Sequence, residues 1–267
     1  MSRYVVLVWT SSLVVTVLLI IYVLFIAYTP RPSAPDGGVA VKGNEIYLPL
    51  PHRITNMSIE EAILFRRSIR EYGGEPLTII ELSMILWAAQ GITDTMHRFR
   101  SAPSAGATYP LEIYVVVGEN TVSINDTAYL KPGIYKYNVL RHSLVLVKEG
   151  DYRDELARAA LDQEWVREAA VDIVICAVYE RTTARYGDRG VRYVYMEVGH
   201  VGENIYLMST ALGLGTVSVG AFHDSQVAEI IGVGFNEHPL YIMPIGRPVK
   251  PYRTSFEEIG SFYNSNR

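Results

Sequence analysis

Three arginines and one serine fall within five residues at Arg66-Arg67-Ser68-Ile69-Arg70. Guanidinium groups offer planar forks of N–H donors that match phosphate oxygens, and a serine hydroxyl adds a short hydrogen bond. The run can therefore cradle an anion. The same charges would equally suit a solvated basic helix end, where they meet the negative end of the dipole. A second stretch, Ser101-Ala102-Pro103-Ser104-Ala105-Gly106-Ala107, holds almost only small residues. Small side chains let backbone amides approach a flat group, or simply make a tight loop.

Other chemistries are poorly served. No Gly-x-x-x-x-Gly-Lys-Ser/Thr loop occurs, which argues against a P-loop nucleotide site. Gly213-Leu214-Gly215 begins like a dinucleotide fingerprint, but Ser218 stands where the third glycine belongs. That serine is also one residue out of step with a Gly-x-Ser-x-Gly nucleophile elbow, so a serine hydrolase is not expected. His52, His97, His142, His200, His223 and His238 are scattered without zinc-motif spacing, and no metal site is expected. Cys176 is the single cysteine, which excludes an internal disulfide and a thiolate cluster. With 24 basic and 28 acidic side chains the net charge is −4, unlike a dedicated nucleic-acid binder.

The elements that must position these groups can be read in outline. Ser58-Ile59-Glu60-Glu61 and Thr78-Ile79-Ile80-Glu81 are capping boxes, each opening a helix, the second stopping at Gly91. Residues 112–117 read as a strand, 133–137 with 143–147 as a hairpin, 151–161 as a helix and 172–179 as a β-branched strand. The longest helix is predicted over 193–212, with Val194, Val198, Val201, Ile205 and Met208 on one stripe. Gly199 and Gly202 inside it each cost about 1 kcal/mol, tolerable where a backbone or flat ligand comes close. Short strands follow near 216–219 and 240–244. The body is α+β, mixed rather than regularly alternating.

Taken in order, several stretches resemble one family. They are Arg66-Arg67-Ser68-Ile69-Arg70-Glu71-Tyr72, the run from Pro103 to Glu112, and Glu197-Val198-Gly199-His200-Val201-Gly202-Glu203-Asn204. Gly213-Leu214-Gly215, Val219-Gly220-Ala221-Phe222 and Pro244-Ile245-Gly246-Arg247-Pro248 follow. The chain is similar to the FMN-dependent nitroreductase superfamily, and within it to the SagB-like and thiazole/oxazole-forming dehydrogenases. The resemblance implies an α-β-α sandwich with a central mixed, mainly antiparallel sheet, in an intertwined homodimer with two FMN sites. By the same resemblance, Arg66 and Ser68 hold the FMN phosphate, Arg67 the phosphate–ribityl region, and Arg70 the flavin pyrimidine edge. Pro103, Ser104, Ala105 and Ala107 reach the flavin from the partner subunit, and Val219, Gly220 and Ala221 meet its N5 and O4 edge. Arg247, after Gly246, adds a phosphate contact or is a surface arginine. The azoline-oxidising branch carries Lys-Tyr-Gly before the long helix, whereas this chain has Arg185-Tyr186-Gly187. Arginine stays protonated and cannot act as the base, which leaves Tyr186 as an acid/base candidate beside Arg185, or as a packing residue.

Val5 to Ala27 carries no charge and is long enough for a membrane-spanning helix. A cleaved signal peptide is the rival, but its apolar core is normally shorter, roughly 7–15 residues. The expected organisation is an anchor over 1–28, a Pro/Gly-rich tether over 29–51 and an FMN-binding domain over 52–267. Flanking charges are nearly balanced and lean toward an extracytoplasmic body. The expected activity is hydride exchange through flavin N5 with a small-molecule or peptide-derived substrate, with NAD(P)H as a candidate donor. The alternatives are a non-catalytic flavin-binding or partner module, and a structural protein that has lost FMN.

Overall fold

The structure, a computed structural model, describes residues 39–267. The anchor expected over 1–28 and the first part of the tether lie outside the described residues. Among the described residues no helix is long and apolar enough to cross a membrane.

A nine-stranded sheet forms the centre, in the order β1-β2-β9-β8-β5-β10-β12-β11, with β3 paired to β12. Its strands are β1 (Ala40–Lys42), β2 (Glu45–Tyr47), β3 (Tyr72–Gly73), β5 (Leu111–Val117), β8 (Gly133–Asn138), β9 (Ser143–Glu149), β10 (Val171–Ala177), β11 (Gly215–Thr216) and β12 (His238–Pro248). Their pairings are antiparallel. The mixed character expected of the sheet is confined to a small three-stranded one, where β4 (Leu77–Thr78) runs parallel to β6 (Val122–Asn125), itself paired with β7 (Ala128–Tyr129).

The helices are α1 (Ile59–Phe65), α2 (Ile79–Gln90), α3 (Arg153–Ala159), α4 (Glu164–Glu168), α5 (Glu180–Tyr186), α6 (Arg189–Ala211), α7 (Asp224–Ile231) and α8 (Phe256–Ser265). Strand β10 shows why the molecule has three layers. Its Val171, Ile173, Ile175 and Ala177 join Leu82, Ile85, Val194, Val198 and Ile205 of α2 and α6 in one core. Val174 and Cys176, pointing to the other face, join Leu156, Val166, Val227 and Ile231 of α3, α4 and α7. Each such apolar side chain contributes about 1.5–3 kcal/mol when fully buried. Both expected capping boxes are present, Ser58 with Glu61 and Thr78 with Glu81.

Two expectations are corrected. The tether does not run to residue 51, because β1 and β2 form a hairpin that adds to the sheet edge through Ile46↔Leu144. Glu45 is buried there, accepting a hydrogen bond from Ser143 Oγ at 2.6 Å and pairing with Arg141 at 2.7 Å. The long helix starts at Arg189, four residues earlier than its apolar stripe suggests, because Gly190 packs against the backbone of Thr182 and Thr183 within α5.

Candidate functional site

The arginine run begins where α1 ends. Arg66 is the C-cap, its backbone extended, so the chain leaves the helix and Ser68 forms a parallel bridge with Thr216. Ile69 N–H donates to Thr216 O at 2.9 Å. The loop is thereby docked on β11 and the segment that follows it. Tyr206 of α6 knots the two together: its Oη lies 3.0 Å from Ser68 Oγ and accepts Ser218 N–H at 2.8 Å. The Arg66 guanidinium sits 5.3 Å from the centre of the Tyr206 ring.

Among the described residues, Arg66, Arg67 and Arg70 have no carboxylate partner. Arg70 is exposed and lies over Trp165, 5.4 Å from that ring. Arg67 turns aside, donating to Leu64 O and Arg66 O and stacking on Tyr252 at 3.8 Å. Gly220 and Ala221 are exposed, while Val219 is buried and bonded through its backbone to Ile242. Gly246 is required by close approach, since a Cβ there would lie 2.8 Å from the Tyr72 ring. Arg247 has a partner of its own: it pairs with Glu81 at 2.8 Å, the carboxylate that also caps α2.

The second group of expected residues lies elsewhere. Residues 105–107 form a single 3-10 turn with Gly106 at φ +61°, where a side chain would be strained. A Cβ on Gly106 would sit 2.5 Å from Tyr186 Oη, so Tyr186 packs directly on this loop. Arg185 donates to Gly106 O at 3.2 Å and stands 5.5 Å from the Tyr186 ring. Pro103 and Ala107 are exposed, while Ser104 Oγ accepts Tyr109 N–H at 2.9 Å.

The two groups are thus Arg66–Arg70 with Ser218–Ala221, and Pro103–Ala107 with Arg185 and Tyr186. The first gathers at Tyr206 and the second at the start of α6. Tyr186 packs on Tyr193, 13 residues and about 20 Å along that helix from Tyr206, while Ser104 reaches Glu197, nine residues and about 14 Å from it.

Sequence reading missed three groups. Tyr206 gives no local sign, because its partner Ser68 lies 138 residues away. Glu197, only 2% exposed, lies under the small-residue loop. Burial pushes its carboxyl up, opposed by the nearby polar side chains of Ser104 and Gln90 and by the charge of Arg100. It does stand in the Glu-x-Gly-His stretch, and a glutamate on the buried face of an apolar stripe was the available signal. Asp172 is buried in β10, and neither oxygen has a hydrogen-bond partner among the described residues. An acid inside a run of β-branched residues was the signal there.

Comparison with known proteins places this arrangement. The Nitroreductase family profile matches residues 63–247. A Methanocaldococcus jannaschii protein described as a nitroreductase is 49% identical over 208 residues, covering 78% of this chain and 100% of that one. The NADPH-flavin oxidoreductase of Vibrio harveyi is 31% identical over 114 residues, 40% of this chain and 48% of its own. A Ralstonia eutropha crystal structure described as a nitroreductase superposes with a TM-score of 0.65 at 27% identity, covering 83% of this chain and 95% of the other. With the α-β-α layering, the uncompensated arginine loop and these matches together, the chain belongs to the nitroreductase family.

Proposed function

We propose that this chain is an FMN-dependent oxidoreductase whose sites are each assembled from two copies of the chain. The observation that carries the reading is the loop bearing exposed Ser68, whose Arg66, Arg67 and Arg70 meet no carboxylate among the described residues, in a protein of net charge −4. Unpaired cations at one loop suit a phosphate, and Arg66 with Ser68 would hold it. Arg70 would stand at the pyrimidine edge, and the exposed backbone at Gly220 and Ala221 would meet the ring. Arg67 would contribute its charge from the Tyr252 side, and Arg247 would divide its guanidinium between Glu81 and the phosphate. When bound, FMN supplies hydride exchange at N5, with NAD(P)H as the proposed donor.

The separation of the two residue groups supports a dimer. Tyr186 sits beside Tyr193, about 20 Å along α6 from Tyr206, and in the arrangement the family resemblance implies Pro103, Ser104, Ala105, Ala107, Arg185 and Tyr186 would face the flavin of the partner chain. Two-fold symmetry would bring opposite helix ends together twice. The exposed apolar residues Ile59 and Ile63 of α1, and Tyr195 and Met196 beside open Gly199 on α6, supply a face for that second copy. Tyr186 would then be the proton-handling phenol over the ring, in the manner of the SagB-like branch, with a small-molecule or peptide-derived substrate. The charge-free run Val5–Ala27 supports a membrane-held protein, and its flanking charges, Arg3 with the amino terminus against Arg31 and Lys42, lean toward a body on the extracytoplasmic side.

The test uses the purified full chain. A flavin absorbance spectrum with FMN near one per chain by mass is expected, and Arg66→Ala with Ser68→Ala should empty it while leaving the circular dichroism unchanged. Mixing that variant with Gly106→Val chains, through unfolding and refolding, should restore about a quarter of wild-type sites, since half of the dimers are mixed and each holds one intact site. Full flavin occupancy in the Arg66/Ser68 variant would refute the cradle, and no recovery on mixing would refute the shared site.

A further inference from the structure

We propose that Tyr206 is a positioning residue that makes Ser68 a hydrogen-bond donor toward an anion, an inference that rests on the flavin reading above. The direction of the chain of bonds follows from what each group can do. Ser218 N–H is a backbone donor and nothing else, and it points at Tyr206 Oη at 2.8 Å. The Tyr206 hydroxyl has one hydrogen left to give. Ser68 Oγ lies 3.0 Å away, while Ser218 Oγ lies at 3.5 Å, the outer limit for such a bond. The hydrogen therefore goes to Ser68.

Having accepted from Tyr206, Ser68 Oγ keeps its own hydrogen, and its side chain is exposed on the same loop as the uncompensated arginines. A phosphate oxygen accepts that hydrogen, and the polarised chain amide, phenol, hydroxyl strengthens the last bond. The Tyr206 ring meanwhile seats the Arg66 guanidinium from 5.3 Å. One buried side chain thus sets both the charge and the hydroxyl of the cradle, and ties them to the segment ending at Gly220.

Equilibrium titration of the apo full chain with FMN and with riboflavin tests this, because riboflavin lacks the phosphate. Wild type should prefer FMN. Tyr206→Phe keeps the ring and removes the hydroxyl that orients Ser68; it should weaken FMN roughly two- to tenfold, as for loss of one neutral hydrogen bond, with riboflavin close to wild type. Adding Ser68→Ala to it should cost less than Ser68→Ala costs in the wild type, because the two act through one chain of bonds. Equal weakening of both flavins by Tyr206→Phe, or independent effects of the two substitutions, would overturn the assignment and leave the flavin reading standing. Wild type that binds neither flavin would overturn the flavin reading and this inference with it. If Tyr206→Phe does not fold, 3-fluorotyrosine at position 206, a stronger donor of the same shape, should raise the FMN preference; an unchanged preference would count against the chain.

Discussion

Asp172 offers the sharpest test of the energetics. It lies in β10 between Val116 of β5 and Pro244 of β12, wholly buried, with neither carboxyl oxygen hydrogen-bonded among the described residues. Burial pushes its pKa well above the ordinary value of 3.8, and the nearby Arg153 opposes this only in part. That arginine is engaged by Asp151, with bonds of 2.6 and 2.9 Å. The native state thus holds a proton that the unfolded chain releases above about pH 4. Stability from this group is fully present below that pH and is lost as pH rises toward the folded pKa, at up to about 1.4 kcal/mol per pH unit. Asp172→Asn has nearly the same shape and cannot ionise. Urea unfolding of both proteins should show the variant gaining on the wild type steadily as pH rises from about 4 to 7, by up to about 1.4 kcal/mol per pH unit. In melting temperature that is about 2–4 °C per kcal/mol for a domain of this size. Two stability curves that stay parallel from pH 5 to 7 would show that the carboxyl is not held protonated, and the argument would fail.

Three further outcomes are expected. Thr78→Ala removes the cap bond to Glu81 N–H, 3.2 Å in the native helix, and should cost about 1 kcal/mol in thermal or urea unfolding. Gly106→Ala places a side chain at φ +61° and against Tyr186, so it should cost at least 1–2 kcal/mol and displace the Tyr186 ring, seen as a change in near-ultraviolet circular dichroism. Cys176 is buried and burial pushes its thiol up, so a thiol reagent should label it only after denaturant is added.

What could be read from the chain was local. Ser58 and Thr78 announce their helices within four residues, and the β-branched run read over 172–179 announces the strand found at Val171–Ala177. The same local logic was available at Ser255, whose box with Glu258 opens α8, and at Gly43-Asn44, a two-residue hairpin signal between β1 and β2. Proline and glycine composition around the latter suggested a tether and hid it. The arginine loop was legible as an anion cradle, but its partition was not. That Arg247 answers Glu81 across 166 residues, or that Arg185 reaches Gly106 across 79, depends on long-range packing that no window of sequence contains. The same holds for Tyr206, which looks like one more apolar-face residue of α6 until its hydroxyl is placed.

The uncompensated arginines also bear on how long the protein lasts. Neighbouring cations on one loop that meet no carboxylate among the described residues cost free energy in the folded state and less in the expanded chain. An anionic ligand that binds only the folded form removes that cost and adds its own stabilisation, about 2.7 kcal/mol at a hundred times its dissociation constant. Supply of the ligand would then govern turnover of the polypeptide: chains made faster than they are filled would open more often and be degraded first. The abundance of this protein in a cell would then follow the supply of that ligand.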